Sequence, residues 1–217
     1  MGLYKRLARV NCYFGEAGCL NEKPFSQACE NNRTPIGDVL MRLLSKSASV
    51  LELGSGTGQH AVWFARHLSH LRWQTSDRFE NHAGINQWLD DSGLDNVGAP
   101  IALDIGRDPW PSTPFDAVFS SNTAHIMVWP EVEIMFSQVA GTLSAGGLFC
   151  LYGPMKYSGV IAAESNRAFD HRLKAGNPRQ GIREFNDLDQ LALTAGMSLL
   201  EDNAMPANNR LIIWQKS

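Results

Sequence analysis

A chain of 217 residues that is 44% hydrophobic and 19% charged is long enough to bury the core of one sizeable α/β domain. A net charge of −3 gives no footprint for a nucleic-acid backbone, so nucleic acid is disfavoured as a partner. No apolar run reaches the roughly 18–20 residues of a membrane span, and no membrane partner is expected. The four cysteines (Cys12, Cys19, Cys29, Cys150) form no C-x-x-C pair and no zinc-like spacing with histidine. No metal site is therefore expected, and the compartment reads as reducing and cytoplasmic.

Residues 1–23 hold Asn11, Gly15, Gly18 and Asn21 without a clear period. Lys5, Arg6 and Arg9 precede no apolar h-region, so the segment reads as a loosely attached extension rather than a signal peptide. One domain is expected over residues 24–217. Thr34-Pro35 predicts a helix start, with Thr34 as N-cap and Pro35 in the first helical position. Ile36, Val39, Leu40, Leu43 and Leu44 supply its apolar stripe. Strands are predicted at 49–53, 71–77, 100–104, 115–120 and 148–152, and intervening helices at 59–69, 83–91 and 130–143. Asp108-Pro109-Trp110-Pro111 closes the third strand, and Ser144-Ala145-Gly146-Gly147 stops the helix before the fifth. This alternation predicts βαβ units, a parallel sheet and a ligand crevice at the carboxyl ends of the strands.

Beyond the fifth strand the rhythm changes. Residues 153–182 are polar and contain a predicted helix over 162–174, placed to cover the crevice. A helix over 187–195 follows. Apolar runs at 197–200 and 211–214, separated by Met205-Pro206-Ala207-Asn208-Asn209, suit an antiparallel pair at one sheet edge.

The most informative stretch is Val50-Leu51-Glu52-Leu53-Gly54-Ser55-Gly56-Thr57-Gly58-Gln59-His60. An apolar run ends in an acid, three glycines alternate, and a helix begins. Glycine lets the backbone take positive φ and lets a ligand lie against the main chain. A helix start adds free N–H groups and partial positive charge. The dinucleotide pattern G-x-G-x-x-G needs glycine at position 59, where Gln59 stands, and no Gly-Lys-Ser/Thr follows for a P-loop. A bare turn rarely needs three glycines after an acid. Asp77 lies nineteen residues beyond Gly58. In mononucleotide-binding halves an acid about 20 residues on takes the ribose hydroxyls, and a carboxylate can accept two hydrogen bonds at once. A strand-end cap is the competing role.

Glu-x-Gly-x-Gly-x-Gly resembles motif I of the class I S-adenosylmethionine-dependent methyltransferases. The resemblance implies a Rossmann-like, seven-stranded α/β fold, mostly parallel with an antiparallel edge strand. It implies that Gly54, Gly56 and Gly58 meet the methionyl part of the cofactor. Glu52 would steady that loop or meet the methionyl amino group. Asp77 would hold the ribose, and Asp104, ending the third strand, resembles the acid that accepts from the adenine amino group; a turn role before Gly106 competes. The fourth strand runs into Ser121-Asn122-Thr123-Ala124-His125 without the Asn/Asp-Pro-Pro-aromatic motif of DNA-base aminomethyltransferases, so that chemistry is not expected. Asn122 would hold the methionyl end. His125 is the candidate general base, suited by a reference pKa near 6.5, with a packed helix-start role competing.

Further segments narrow the resemblance: Glu30-Asn31-Asn32-Arg33-Thr34-Pro35-Ile36, Tyr152-Gly153-Pro154-Met155-Lys156-Tyr157, Glu164-Ser165-Asn166 with Phe169-Asp170, Gly181-Ile182-Arg183, and Met205-Pro206-Ala207-Asn208-Asn209. Over residues 24–217 the chain is similar to the methyltransferase-like-26 group, formerly a domain of unknown function. That group's aromatic between a proline and a glycine is absent from Pro178-Arg179-Gln180-Gly181. The resemblance implies the fold and the cofactor, not a substrate. Arg33 could pair with the methionyl carboxylate. Lys156 and Tyr157 join His125 as catalytic candidates, and Glu164, Asn166, Arg183 and Asn208 complete a polar wall; for each a solvated surface role competes. The expected activity is methyl transfer from S-adenosylmethionine to a small-molecule oxygen or nitrogen nucleophile. The alternatives are a non-catalytic cofactor-binding or regulatory module and a dehydrogenase-like nucleotide binder, against which Gln59 argues.

Overall fold

Strands with no polar alternation must be covered on both faces, and the middle of this sheet is of that kind. A computed structural model describes residues 23–217; the expected extension, apart from Lys23, lies outside the described residues. In chain order the elements are α1 (Gln27–Leu43), β1 (Ser49–Leu53), α2 (Gln59–His67), β2 (Arg72–Asp77), α3 (His82–Ser92), β3 (Val97–Ala102), β4 (Phe115–Ser121), α4 (Trp129–Thr142) and β5 (Leu143–Lys156). Then come α5 (Glu164–Gly176), β6 (Arg183–Glu184), α6 (Phe185–Thr194), β7 (Met197–Met205) and β8 (Asn209–Lys216).

The sheet order is β3-β2-β1-β4-β5-β8-β7, with β6 pairing β5 off this path. The first five strands run parallel, and β8 runs antiparallel to both β5 and β7. The expected antiparallel pair is therefore present, with β8 inserted between β5 and the edge strand β7. Successive side chains alternate between faces. Leu51, Leu53, Val118, Phe149, Leu151, Ile212 and Trp214 pack with Val132, Phe136 and Leu188 of α4 and α6. Val50, Ala117, Phe119, Cys150 and Ile213 pack on the other face with Ile36, Leu40, Ala61 and Phe64 of α1 and α2. The chain moves outward from β1 to β3 and then returns to β4. The order therefore reverses between β1 and β4, and a crevice opens at their carboxyl ends.

Most boundaries shift by a residue or more from those the sequence predicts, and three of the shifts have an instructive cause. Helix α1 starts at Gln27, not at Thr34. Ser26 is its N-cap, accepting from Cys29 N at 3.4 Å, and Pro35 lies inside the helix. An interior proline forfeits one backbone bond and crowds the preceding turn. Burial of Ile36 and Leu40, with a bond from His60 Nε2 to Oδ1 of buried Asn32 at 2.6 Å, holds the helix through it. Strand β3 occupies Val97–Ala102, so Asp104 stands just past its end. Gly146-Gly147 do not separate α4 from a short strand, because β5 is continuous from Leu143. Gly146 has φ 74° and the β4–β5 register shifts beside it, between Phe115 and Ala117. The glycines make a bulge rather than a break.

Candidate active site: two cavities on one glycine loop

The loop between β1 and α2 meets the crevice, and its glycines do different work. Gly54 has φ 70°, and a Cβ there would lie 2.7 Å from Thr123 Cγ2. Gly56 has φ 60° and no neighbour within reach except Gly54 O at 4.0 Å, so its missing side chain leaves open space. Gly58 has φ 88°, and a Cβ there would lie 3.2 Å from Ile85 Cα. It lets α3 pack against the loop and lines neither cavity described below, contrary to the expected ligand role. Glu52 also stands behind the loop. It accepts from Ser55 Oγ at 3.0 Å and Trp73 Nε1 at 3.1 Å, lines neither cavity, and is pushed up to about 7 by burial, with the nearby Asp77 charge adding to the rise. Of its two expected roles the steadying one matches these contacts.

On one side of the loop lies a cavity of about 550 Å³ lined by Gly54, Gly56, Asp77, Asp104, Asn122 and Gln180, among others. Asp77 accepts from Gly56 N at 2.7 Å, Arg78 N at 2.7 Å and Asn81 Nδ2 at 2.8 Å. A carboxylate has about four acceptor positions. One is left for a ligand, rather than the two the sequence reading assumed. Asp104 is freer, with Arg107 Nη1 at 4.0 Å.

On the other side a cavity of about 560 Å³ shares Gly54, Gly56, Ser121 and Asn122 with the first. Much of its remaining wall comes from distant segments: Asn31 and Asn32 of α1, His60 of α2, Tyr152 and Pro154 of β5, Asn166 and Phe169 of α5, Pro206 and Ala207 of the β7–β8 turn, and Asn209 at the start of β8. Four of the recurrent segments noted in the sequence thus converge on one space. Sequence reasoning gave no role to His60, Asn32, Tyr152, Phe169 or Asn209. All but His60 stood inside those segments, which was the available signal.

His125 lines this second cavity, 5% exposed, with its ring edge-to-face against Phe169 at 5.0 Å. Burial first, and then the Arg183 charge, lower its pKa to about 4. The imidazole is neutral at pH 7, but it is a much weaker base than the reference value suggested. His60 is likewise lowered to about 4, by burial and then by Arg33.

The other catalytic candidates are not brought to it. Tyr157 donates to Asp202 Oδ2 at 2.7 Å and lines a third cavity of about 420 Å³ with Met155, Val160 and Arg210. Burial and that carboxylate push its phenol far above the usual range. Lys156 and Glu164 line none of the three cavities. Arg33 lines none either; it is paired with Glu30 one helical turn away at 2.7 Å. Asn166 lies between the second and third cavities and Asn208 in the third. The expected single polar wall is therefore divided.

Arg183 has a different part. Four consecutive carbonyls of the loop after β4 are taken by residues 180–183. Ala124 O accepts from Arg183 Nε at 2.9 Å, His125 O from Gly181 N at 3.0 Å, Ile126 O from the Gln180 amide, and Met127 O from the Arg183 guanidinium. Gln180, in the stretch lacking the aromatic, thus joins the clamp and the wall of the first cavity.

Among the described residues, four non-glycine residues have positive φ: Asn122 (59°), Ser158 (50°), Ala207 (57°) and Asn208 (55°). Three of them line cavities. Among the described residues no group of three or more His, Cys, Asp or Glu side chains is arranged to hold a metal ion, and no helix is long and apolar enough to cross a membrane.

The sheet order, the switch point and the glycine loop are those of the Rossmann-like methyltransferase fold. An O-methyltransferase family 2 protein from Planctomyces limnophilus, described in complex with apigenin, superimposes with a TM-score of 0.77 at 18% identity, over 88% of this chain and 58% of that one. A putative O-methyltransferase from Nostoc punctiforme gives 0.74 at 16% identity, over 85% and 56%. The S-adenosylmethionine-dependent methyltransferase SibL, in its apo form, gives 0.70 at 19% identity, over 83% and 54%. The chain spans a little over half the length of each of these proteins, and at such identities the likeness is one of fold. By sequence the chain belongs to the family described as "Protein of unknown function (DUF938)", which matches residues 23–216.

Proposed function

We propose that the protein is an S-adenosylmethionine-dependent methyltransferase of the methyltransferase-like-26 kind, acting on an oxygen or nitrogen nucleophile of a small molecule. One observation carries the reading: two cavities of similar size meet at a single glycine loop and share Gly54, Gly56, Ser121 and Asn122. A cofactor in one and an acceptor in the other would face each other across that shared wall. The likeness to SibL and to the apigenin-bound protein supports the same assignment.

The residues suit the cofactor. The space a Gly56 side chain would fill lies at the shared wall, Asp77 keeps one acceptor position for a ribose hydroxyl, and Asp104 faces the same cavity for the adenine amino group. When bound, the cofactor supplies a methyl group on an already electrophilic sulfonium, which leaves orientation and exclusion of water to the protein. His125, neutral and unpaired by any side chain among the described residues, accepts a hydrogen bond from the incoming hydroxyl or amine and so aims its lone pair. With a pKa near 4 it holds a proton only weakly and would pass it on rather than store it. Residues 180–183 hold the His125 loop by its carbonyls, and Phe169 covers the ring. A cofactor-binding module without catalysis would need no second cavity beside the loop.

The test is ligand-dependent stability. S-adenosylhomocysteine at about 100 times its dissociation constant should stabilise the protein by roughly 2.7 kcal/mol, and NAD should not. Stabilisation by NAD with none by S-adenosylhomocysteine would overturn the assignment.

A further inference from the structure

The second cavity has an unusual wall. Among its lining residues there is no Asp, Glu, Lys or Arg, while five asparagines face it: Asn31, Asn32, Asn122, Asn166 and Asn209. Several charged groups around it are committed elsewhere. Arg33 pairs with Glu30 at 2.7 Å, Lys174 with Asp170 at 2.5 Å and Arg210 with Asp202 at 2.7 Å, while Arg183 is spent on two carbonyls. Burial keeps both imidazoles of the wall neutral at pH 7.

The amides also have a direction. Asn166 Nδ2 donates to Asn208 O at 3.1 Å, and Asn209 Nδ2 donates to Tyr152 Oη at 2.9 Å. Their oxygens keep acceptor capacity, as do Asn122 Oδ1 and the His125 ring. By contrast, Asn31 Oδ1 accepts from Gln27 Nε2 at 3.0 Å and Asn32 Oδ1 from His60 Nε2 at 2.6 Å, so those two amides present N–H donors. An isolated charge moved from water into such a wall finds no counter-charge, and its desolvation goes uncompensated. A neutral molecule bearing hydroxyl groups, each of which both donates and accepts, meets partners on several sides. Phe169, Pro154 and Pro206 supply apolar surface for its body.

We propose that this cavity selects substrates that are uncharged as bound and rich in hydroxyl groups, and that it rejects carboxylates, phosphates and ammonium compounds. The inference rests on the methyl-transfer reading for the word substrate, but the charge rule is a property of the wall alone. It is separable for that reason.

The experiment is a ligand-observed NMR screen at pH 7 with a fragment library holding equal numbers of neutral hydroxylated, anionic and cationic members. It is run on the protein with and without S-adenosylhomocysteine. Cavity binders are those lost in Ala28→Trp, a substitution at an exposed first-turn position of α1 that lines the cavity. Neutral hydroxylated fragments should outnumber charged ones among cavity binders by roughly tenfold, the ratio expected when an unpaired charge is disfavoured by about 1.4 kcal/mol. A second variant, Asn166→Asp, keeps the side-chain shape and adds one carboxylate, so cationic fragments should then appear among the binders. Charged fragments as frequent as neutral ones in the wild-type cavity, or no neutral hydroxylated binder at all, would overturn the proposal. Failure of S-adenosylhomocysteine to bind would strike the methyl-transfer reading instead, while the cofactor-free screen still decides the charge rule.

Discussion

Two alanine substitutions, two residues apart in the same loop, separate ligand contact from packing. Gly56 and Gly58 have φ of 60° and 88°, so each substitution places an L-residue in the left-handed region. That conformation costs about 1–2 kcal/mol, offset by about 0.4–1 kcal/mol from the stiffer unfolded chain. At Gly56 nothing else is added, because the nearest atom to a new Cβ is Gly54 O at 4.0 Å. At Gly58 the Cβ meets Ile85 Cα at 3.2 Å, Ile85 O at 3.3 Å and Trp88 Cβ at 3.3 Å. Two of those atoms are backbone of a packed helix and cannot swing aside, so overpacking adds about 1–3 kcal/mol. Gly56→Ala should thus lose about 1 kcal/mol and Gly58→Ala about 2–4 kcal/mol. Ligand binding should rank the other way. The Gly56 methyl enters the space both cavities share and should weaken S-adenosylhomocysteine by roughly tenfold or more, while Gly58→Ala, where still folded, should bind within roughly threefold of wild type. Urea melts at constant m give the first quantity and isothermal calorimetry the second. A Gly58→Ala protein as stable as wild type, or a Gly56→Ala protein with native affinity, would refute the reasoning.

Asp77→Asn should lower both stability and cofactor affinity, because an amide turns a donor toward one of the three donors Asp77 now accepts from, at about 1–3 kcal/mol. Asp104→Asn should lower affinity alone, with stability within about 0.5 kcal/mol of wild type; a matching drop in its urea midpoint would show that the pair was misassigned. Between pH 4 and 6.5 an unfolded His60 or His125 carries a proton that the native state lacks, so both make stability rise with pH. Glu52, raised to about 7, opposes them, since from about its ordinary value up to 7 the native state keeps a proton that the unfolded chain has released. His125→Gln should flatten the profile by one proton, about 1.4 kcal/mol per pH unit; urea melts from pH 4.5 to 6.5 giving parallel wild-type and variant slopes would be evidence against a buried, neutral His125. Arg183→Lys should cost about 1–3 kcal/mol, because an ammonium on one stem cannot bridge the Ala124 and Met127 carbonyls as the guanidinium does. An unchanged urea midpoint would mean that the clamp carries no weight.

The central sheet and the glycine loop were legible because their signals are local: unbroken apolar runs, alternating glycines, and an acid at a set distance. Where a local signal competes with distant packing, the distant packing prevails. Thr34-Pro35 reads as a helix start, yet Ile36, Leu40 and the Asn32–His60 bond lie beyond any window of a few residues. Gly146-Gly147 reads as a stop and is a bulge, because only the neighbouring strand shows where the register slips. The second cavity was least legible. Its wall is assembled from α1, α2, β4, β5, α5 and the β7–β8 turn, and no periodicity announces such convergence. Tyr157 illustrates the limit: its partner Asp202 lies 45 residues away, and that bond faces it into another space. Arg33 illustrates the reverse, since a Glu–Arg pair one helical turn apart can be read from spacing alone.

The left-handed backbone at Asn122, Ala207 and Asn208 places a fixed deficit in stability at the cavity walls. At Ala207 that backbone costs about 1–2 kcal/mol, of which glycine would recover only part because it loosens the unfolded chain by about 0.4–1 kcal/mol. The two asparagines tolerate it at a smaller cost. Engineering for heat resistance would find a small net gain in Ala207→Gly, and a smaller one in Asn122→Gly. Both lie at the site, and Asn122→Gly would strip an amide from the one wall that the two cavities share. In this molecule resistance to unfolding and a shaped site are set against each other at the same few residues, so a variant selected for stability alone would drift toward an intact sheet with a featureless crevice.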